Sequence, residues 1–143
     1  MWRHTTKFGR IIILVSVCEA YYRNTPLEEI PWARTQADYF QELLDKNKLG
    51  SGTALDLGCG VGTKSIALAK QGFRVTGIDI APTAIEHAKE SAKKAGVPAE
   101  FFAADATNLS FLEDKKFDLV LDWANLHGIP ECKRKEYIKG IIK

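Results

Sequence analysis

Apolar positions along this chain fall in short blocks, separated by glycines, prolines and charged runs. Ala54, Leu55 and Leu57 form one such block, Phe73 to Ile78 the next, then Ala99 to Ala104 and Phe117 to Asp122. Short, mostly apolar runs of this kind suit strands buried on both faces. Between the blocks the period changes. Thr63 to Lys70 predicts a helix. Pro82 suits a first helical turn, Ile85, Ala88 and Ala92 share one face of the helix it opens, and Gly96 stops it. Ahead of the first block, Asp38 to Leu44 predicts a helix from the spacing of Phe40, Leu43 and Leu44. At the far end, Glu131 to Lys143 is basic and helical, with Ile138, Ile141 and Ile142 on one side. Four strands alternating with helices predict an α/β fold on a parallel sheet. Right-handed crossovers, with a ligand at the point where the winding reverses, predict the strand order 3-2-1-4.

The joint between the first strand and its helix carries the densest chemistry. It runs Asp56-Leu57-Gly58-Cys59-Gly60-Val61-Gly62. Glycines there admit positive φ and leave no Cβ in the way of a ligand. The helix start adds unpaired N–H groups and a partial positive charge. The spacing decides between known phosphate cradles. A dinucleotide loop wants G-x-G-x-x-G/A, but that position holds Thr63 counted from Gly58 and Ser65 counted from Gly60. A P-loop wants Gly-Lys-Ser/Thr, but here Thr63 precedes Lys64. What remains is D-x-G-x-G-x-G.

This stretch resembles motif I of the class I S-adenosylmethionine-dependent methyltransferases, and three later stretches are similar to their counterparts in order and spacing. Asp79 ends the second strand about twenty residues beyond Gly58, where an acid accepts both ribose hydroxyls. Helix capping is the alternative for Asp79, and it can do both. Asp105 and Ala106 follow the third strand, where the family's acid accepts from the adenine amino group and small side chains fit the ring. Asp122-Trp123-Ala124-Asn125-Leu126-His127 resembles motif IV and its loop. The resemblance covers Tyr21 to Lys143 and implies a Rossmann-like, doubly wound sheet and S-adenosylmethionine as cofactor. The residues it implies for binding are Asp56, Gly58, Cys59, Gly60, Gly62, Asp79, Ile80, Asp105, Ala106 and Asp122. Trp32, in Ile30-Pro31-Trp32 of the segment that folds over the cofactor in the family, joins them. Tyr22 and Tyr39 are candidates to wall the same pocket. The implied reaction is methyl transfer to a small-molecule acceptor. Any general-base help falls to His127 or Asp122, and no metal is required. Histidine is the residue type suited to proton transfer near neutral pH; the alternative for His127 is to cap the loop.

Bulk properties narrow the setting. The 143 residues suffice for one domain, with 45% apolar and 27% charged residues as in ordinary globular chains. A net charge of +2 is too small to argue for nucleic acid or an anionic membrane as partner, and neither is expected. Cys18, Cys59 and Cys132 form no paired framework and suit a reducing cytoplasm. Residues 1–20 form an N-terminal extension: Met1 to Arg10 is basic, and Ile11 to Val17 is apolar but for Ser16. That apolar run is too short to span a bilayer, which takes about 20 residues. It suits a buried segment or a packed helix better than a signal peptide.

The resemblance implies that residues 21–143 form a methyltransferase domain, expected to be incomplete at its C-terminus, because the family continues into strands 5 to 7. The edge strand at 117–122 is then expected to lie open to self-association. Two rivals stand beside the methyltransferase. A non-catalytic cofactor-binding or interaction module is compatible with the early end. An NAD-dependent oxidoreductase fragment is disfavoured by the glycine spacing.

Overall fold

The computed structural model describes residues 19–30, 37–47 and 49–142. The extension up to residue 18 and Trp32 lie outside the described residues, as does the side chain of Tyr39. Four parallel strands form the sheet: β1 (Gly52–Leu57), β2 (Phe73–Asp79), β3 (Ala99–Ala103) and β4 (Leu119–Asp122), in the order β3-β2-β1-β4. Around it lie α1 (Ala37–Asn47), α2 (Thr63–Lys70), α3 (Pro82–Ala95) and α4 (Glu131–Ile141).

The alternation of side chains along each strand divides the core in two. Ala54, Phe73 and Val75 pack with Phe40 and Leu44 of α1 and with Leu68 and Ala69 of α2. Phe101 on the same face packs under Ile85, Ala88 and Ala92 of α3. Leu55, Leu57 and Ile78 point the other way, against Leu112, Ile129 and Tyr137 of α4. Leu57, Leu68 and Ile78 are fully buried, each contributing about 1.5–3 kcal/mol of transfer free energy.

β4 is shorter than the predicted run from Phe117. Asp118 spends its side chain on β1 instead: Thr53 N and Oγ1 donate to Asp118 Oδ2 at 2.8 and 2.9 Å. This side-chain clasp stands at the mouth of the β1–β4 pair, whose ladder begins at Ala54 and Leu119. Within β2, Gly77 makes room for Phe101: a Cβ there would stand 2.6 Å from that ring.

The segment before the sheet is tied to it by a cap. Residues 19–24 are helical, and the Glu19 carboxylate accepts from Thr83 N at 3.0 Å and from Thr83 Oγ1 at 2.5 Å. The N-cap of α3, Ala81, has no side-chain acceptor of its own. Glu19 therefore satisfies one orphan N–H at that helix start and places a negative charge there. This brings Tyr22 and Ile30 onto Ala81 and Ala84 as a small buried cluster.

Candidate functional site

The carboxyl ends of β1, β2 and β3, with the loop after β4, surround a cavity of about 540 Å³. Its floor is the glycine turn. Gly58 N and Cys59 N both donate to Ile78 O, at 2.8 and 2.9 Å, which locks the turn to the end of β2. Gly58, Gly60 and Gly62 have φ of +73°, +54° and +81°, a region closed to most other residues. Each also admits a different neighbour. A Cβ at Gly58 would stand 2.5 Å from Asn125 Oδ1, one at Gly60 2.9 Å from Tyr22 Oη, and one at Gly62 3.0 Å from the Ala88 methyl. Gly58, Cys59 and Gly60 line the cavity, whereas Gly62 is withdrawn as the N-cap of α2.

The predicted acids stand in different environments. Asp56, 2% exposed, accepts from Ser65 Oγ at 2.6 Å. Burial pushes its carboxyl up to about 6, against the hydrogen bond from Ser65. Asp79 lines the cavity at the end of β2. Its Oδ2 accepts from Gly60 N and its Oδ1 from Ala81 N, both at 2.9 Å. It thus joins the glycine turn to the start of α3, and burial raises its pKa despite those bonds. The backbone of Ile80 favours its charged form as well. Asp105 Oδ1 accepts from Thr107 N at 2.8 Å and from Thr107 Oγ1 at 2.7 Å, and Lys133 Nζ lies 3.5 Å from Oδ2. Burial opposes ionisation there, but the Thr107 bonds and the Lys133 charge outweigh it, and the pKa is lowered. Ile80 and Ala106 complete the lining between these two acids, and Tyr22 joins it from the N-terminal segment.

The two residues named for proton transfer do not line the cavity. Asp122 turns back on its own loop: Oδ1 accepts from Asn125 N at 2.9 Å and from Leu126 N at 3.2 Å, and Oδ2 accepts from Tyr137 Oη at 2.5 Å. His127 is exposed in the short helical turn Leu126–Gly128, and its carbonyl accepts from Arg134 Nη2 at 3.5 Å. Among the described residues no group of three or more His, Cys, Asp or Glu is placed to hold a metal ion, and no helix is long and apolar enough to cross a membrane.

Several groups at the site were not singled out from the sequence. Lys64 lines the cavity with its ammonium 5.1 Å from the centre of the Trp123 ring, and desolvation lowers its pKa. Trp123, Ala124 and Asn125 form the wall after β4. Lys133 and Tyr137 of α4 stand behind the lining and hold Asp105 and Asn125 from one helix face, and their spacing of four residues is the one signal that pairs them.

The family model described as a methyltransferase domain matches residues 54–143. A 2-heptyl-1-hydroxyquinolin-4(1H)-one methyltransferase of Mycobacteroides abscessus is 31% identical over 136 residues, covering 91% of this chain and 59% of its own length. A protein solved in a study of the conversion of a disulfide bond into a thioacetal group during echinomycin biosynthesis is 32% identical, with a TM-score of 0.74 over 90% of this chain and 54% of that one. The 1,6-didemethyltoxoflavin-N1-methyltransferase of Burkholderia thailandensis, solved with S-adenosylhomocysteine, shares the fold at a TM-score of 0.76 and 21% identity, over 100% of this chain and 62% of that one. The chain belongs to the methyltransferase-domain family, and its sheet order and glycine turn are those of the class I S-adenosylmethionine-dependent methyltransferases. It spans between 54% and 62% of the length of these three relatives.

Proposed function

We propose that the cavity binds S-adenosylmethionine and that the chain serves methyl transfer to a small-molecule acceptor. The observation that carries this is the pairing of two carboxylates, Asp79 and Asp105, at the ends of neighbouring strands beside a cradle that a Cβ would fill. Asp79, in the lining at the end of β2, takes the ribose hydroxyls. Asp105, fixed by Thr107, takes the adenine amino group, and Ile80 and Ala106 flank the ring. At about 540 Å³ the cavity is of the size that encloses a small organic ligand. The bound cofactor supplies a sulfonium methyl ready for in-line transfer, so the chain's task is alignment and exclusion of water. His127, exposed beside the cavity wall, is assigned to proton removal from an acceptor that docks there.

Calorimetry with S-adenosylhomocysteine and NAD tests the assignment. S-adenosylhomocysteine is expected to bind and NAD to bind negligibly; equal or tighter NAD binding overturns it. We also infer a cytoplasmic setting, from the free thiols of Cys59 and Cys132. Self-association through β4 is the accompanying inference, since among the described residues β4 pairs only with β1. Light scattering that finds only monomer at high concentration removes it.

A further inference from the structure

The wall after β4 is held by three side chains whose hydrogen bonds run in one direction. Asp122, as a carboxylate, only accepts. It accepts the hydrogen bond that Tyr137 Oη donates, so that oxygen is left to meet Asn125 as an acceptor. Asn125 Nδ2 donates to it at 3.2 Å. An amide with its nitrogen on Tyr137 presents its carbonyl away from it. Asn125 Oδ1 accordingly lies over Gly58, where a Cβ would stand 2.5 Å from it. Asn125 lines the cavity, and Oδ1 accepts no hydrogen bond among the described residues. Tyr137 is 1% exposed and does not line the cavity, so it acts on a ligand only through Asn125. The preceding Ala124 is held at φ +67°, a left-handed conformation in which the loop's shape is imposed by its surroundings.

The geometry points to Asp122–Tyr137–Asn125 as an ordered relay that presents Asn125 Oδ1 to the ammonium group at the amino-acid end of the cofactor, with Tyr137 as its positioning residue. This rests on the cofactor reading above. That reading gives the ribose to Asp79 and adenine to Asp105, which leaves the end bounded by Gly58, Lys64 and Asn125 for the amino-acid part. An ammonium needs acceptors for its three donors, and a hydrogen bond to a charged group is the stronger kind. Had the amide been reversed, its NH2 would have faced that ammonium instead. Reversal is blocked because an amide oxygen turned toward Tyr137 would find no proton there.

The test uses the full chain and two probes that differ only at that end. S-adenosylhomocysteine carries the amino-acid group; 5′-methylthioadenosine lacks it. Tyr137→Phe keeps the buried ring and removes the hydroxyl. It is expected to weaken S-adenosylhomocysteine about tenfold, the loss of one charge-assisted bond, and to leave 5′-methylthioadenosine within about twofold. Asn125→Ala should reproduce this pattern, and the double variant should be no weaker than Asn125→Ala alone. Asn125→Ala keeps the test open should Tyr137→Phe fail to fold. Unchanged S-adenosylhomocysteine affinity, equal losses for both probes, or additive losses overturn the relay while leaving the parent's binding intact. A parent chain that binds neither probe overturns the cofactor reading, and the relay with it.

Discussion

The two sides of the cavity are built by different means. On the β1–β2 side the contacts are main chain: three glycines at positive φ, two N–H groups on Ile78 O, and an acid, Asp79, that holds Gly60 N and Ala81 N. On the β4–α4 side they are made by long side chains: Tyr137 on Asp122 and Asn125, Lys133 on Asp105, and Arg134 on the backbone carbonyl of Ile129. A main-chain cradle favours glycine strongly at each position of positive φ. A side-chain network leaves several residue types open and depends on a helix that arrives from far along the chain. The first can hold the shared body of a cofactor; the second is where members of one family can differ.

The sharpest way to break this contrast is to place a side chain in the cradle. Gly58→Ala combines a positive φ with a Cβ 2.5 Å from Asn125 Oδ1. Strain of this kind costs about 1–3 kcal/mol before the clash is counted. S-adenosylhomocysteine binding should fall by at least about a hundredfold, each about 1.4 kcal/mol being a factor of ten, with a lower melting temperature. Near-parent affinity by calorimetry would show that the cradle is looser than its geometry.

The buried acid behind the cradle gives the next effect. Asp56 has its pKa raised to about 6 from an ordinary value of 3.8. The folded state therefore holds a proton that the unfolded state has released between those values. Stability from this group is greatest below about pH 4 and declines as pH rises to about 6, by about 3 kcal/mol in all. Carboxyls with lowered pKa values, Asp105 among them, act in the opposite sense, so the quantity to measure is a difference. The melting temperature of Asp56→Asn minus that of the parent should rise from pH 4 to pH 6.5 and then level off. A flat difference contradicts the buried, raised carboxyl.

Asp79→Ala removes the ribose acceptor and the clasp between the turn and α3. S-adenosylhomocysteine affinity should fall by about tenfold or more, from charge-assisted bonds of about 1.5–3 kcal/mol each. Asp79→Asn, which keeps one acceptor oxygen, should fall less. Equal affinities for parent and Asp79→Ala in a folded protein remove the ribose assignment. The smallest effect on binding belongs to His127, which does not line the cavity. His127→Ala should leave cofactor affinity within about twofold and lower only turnover of an acceptor, by a factor that general-base catalysis sets at about 10²–10⁴. Turnover equal to the parent's returns His127 to a structural role.

Much of the first region was legible in the sequence. The glycine turn, Asp79 at the end of β2 and the span of α3 follow from local spacing, because period, glycine and proline act on the residues beside them, and the strand order follows from the handedness of the crossovers. Placing Asp56 against Ser65 was already harder, since an acid in motif I does not announce which side chain will satisfy it. The second region was read only in part. Asp122 stood out for its place at a strand end, yet its oxygens serve the loop and Tyr137. His127 stood out as a residue type suited to proton transfer, yet it lies exposed on the loop.

What the sequence determined by itself is the alternation of buried strands and helices, and the conformational freedom at Gly58, Gly60 and Gly62 without which no backbone could close that turn. Tertiary structure alone decided which partners those freedoms admit: Asn125 over Gly58, Tyr22 over Gly60, Ala88 against Gly62. The physical reason is range. A dihedral preference is a property of one residue and its neighbours, whereas a hydrogen bond between Tyr137 and Asp122, or between Glu19 and Thr83, exists only once the packed sheet and helices have brought distant residues within 3 Å.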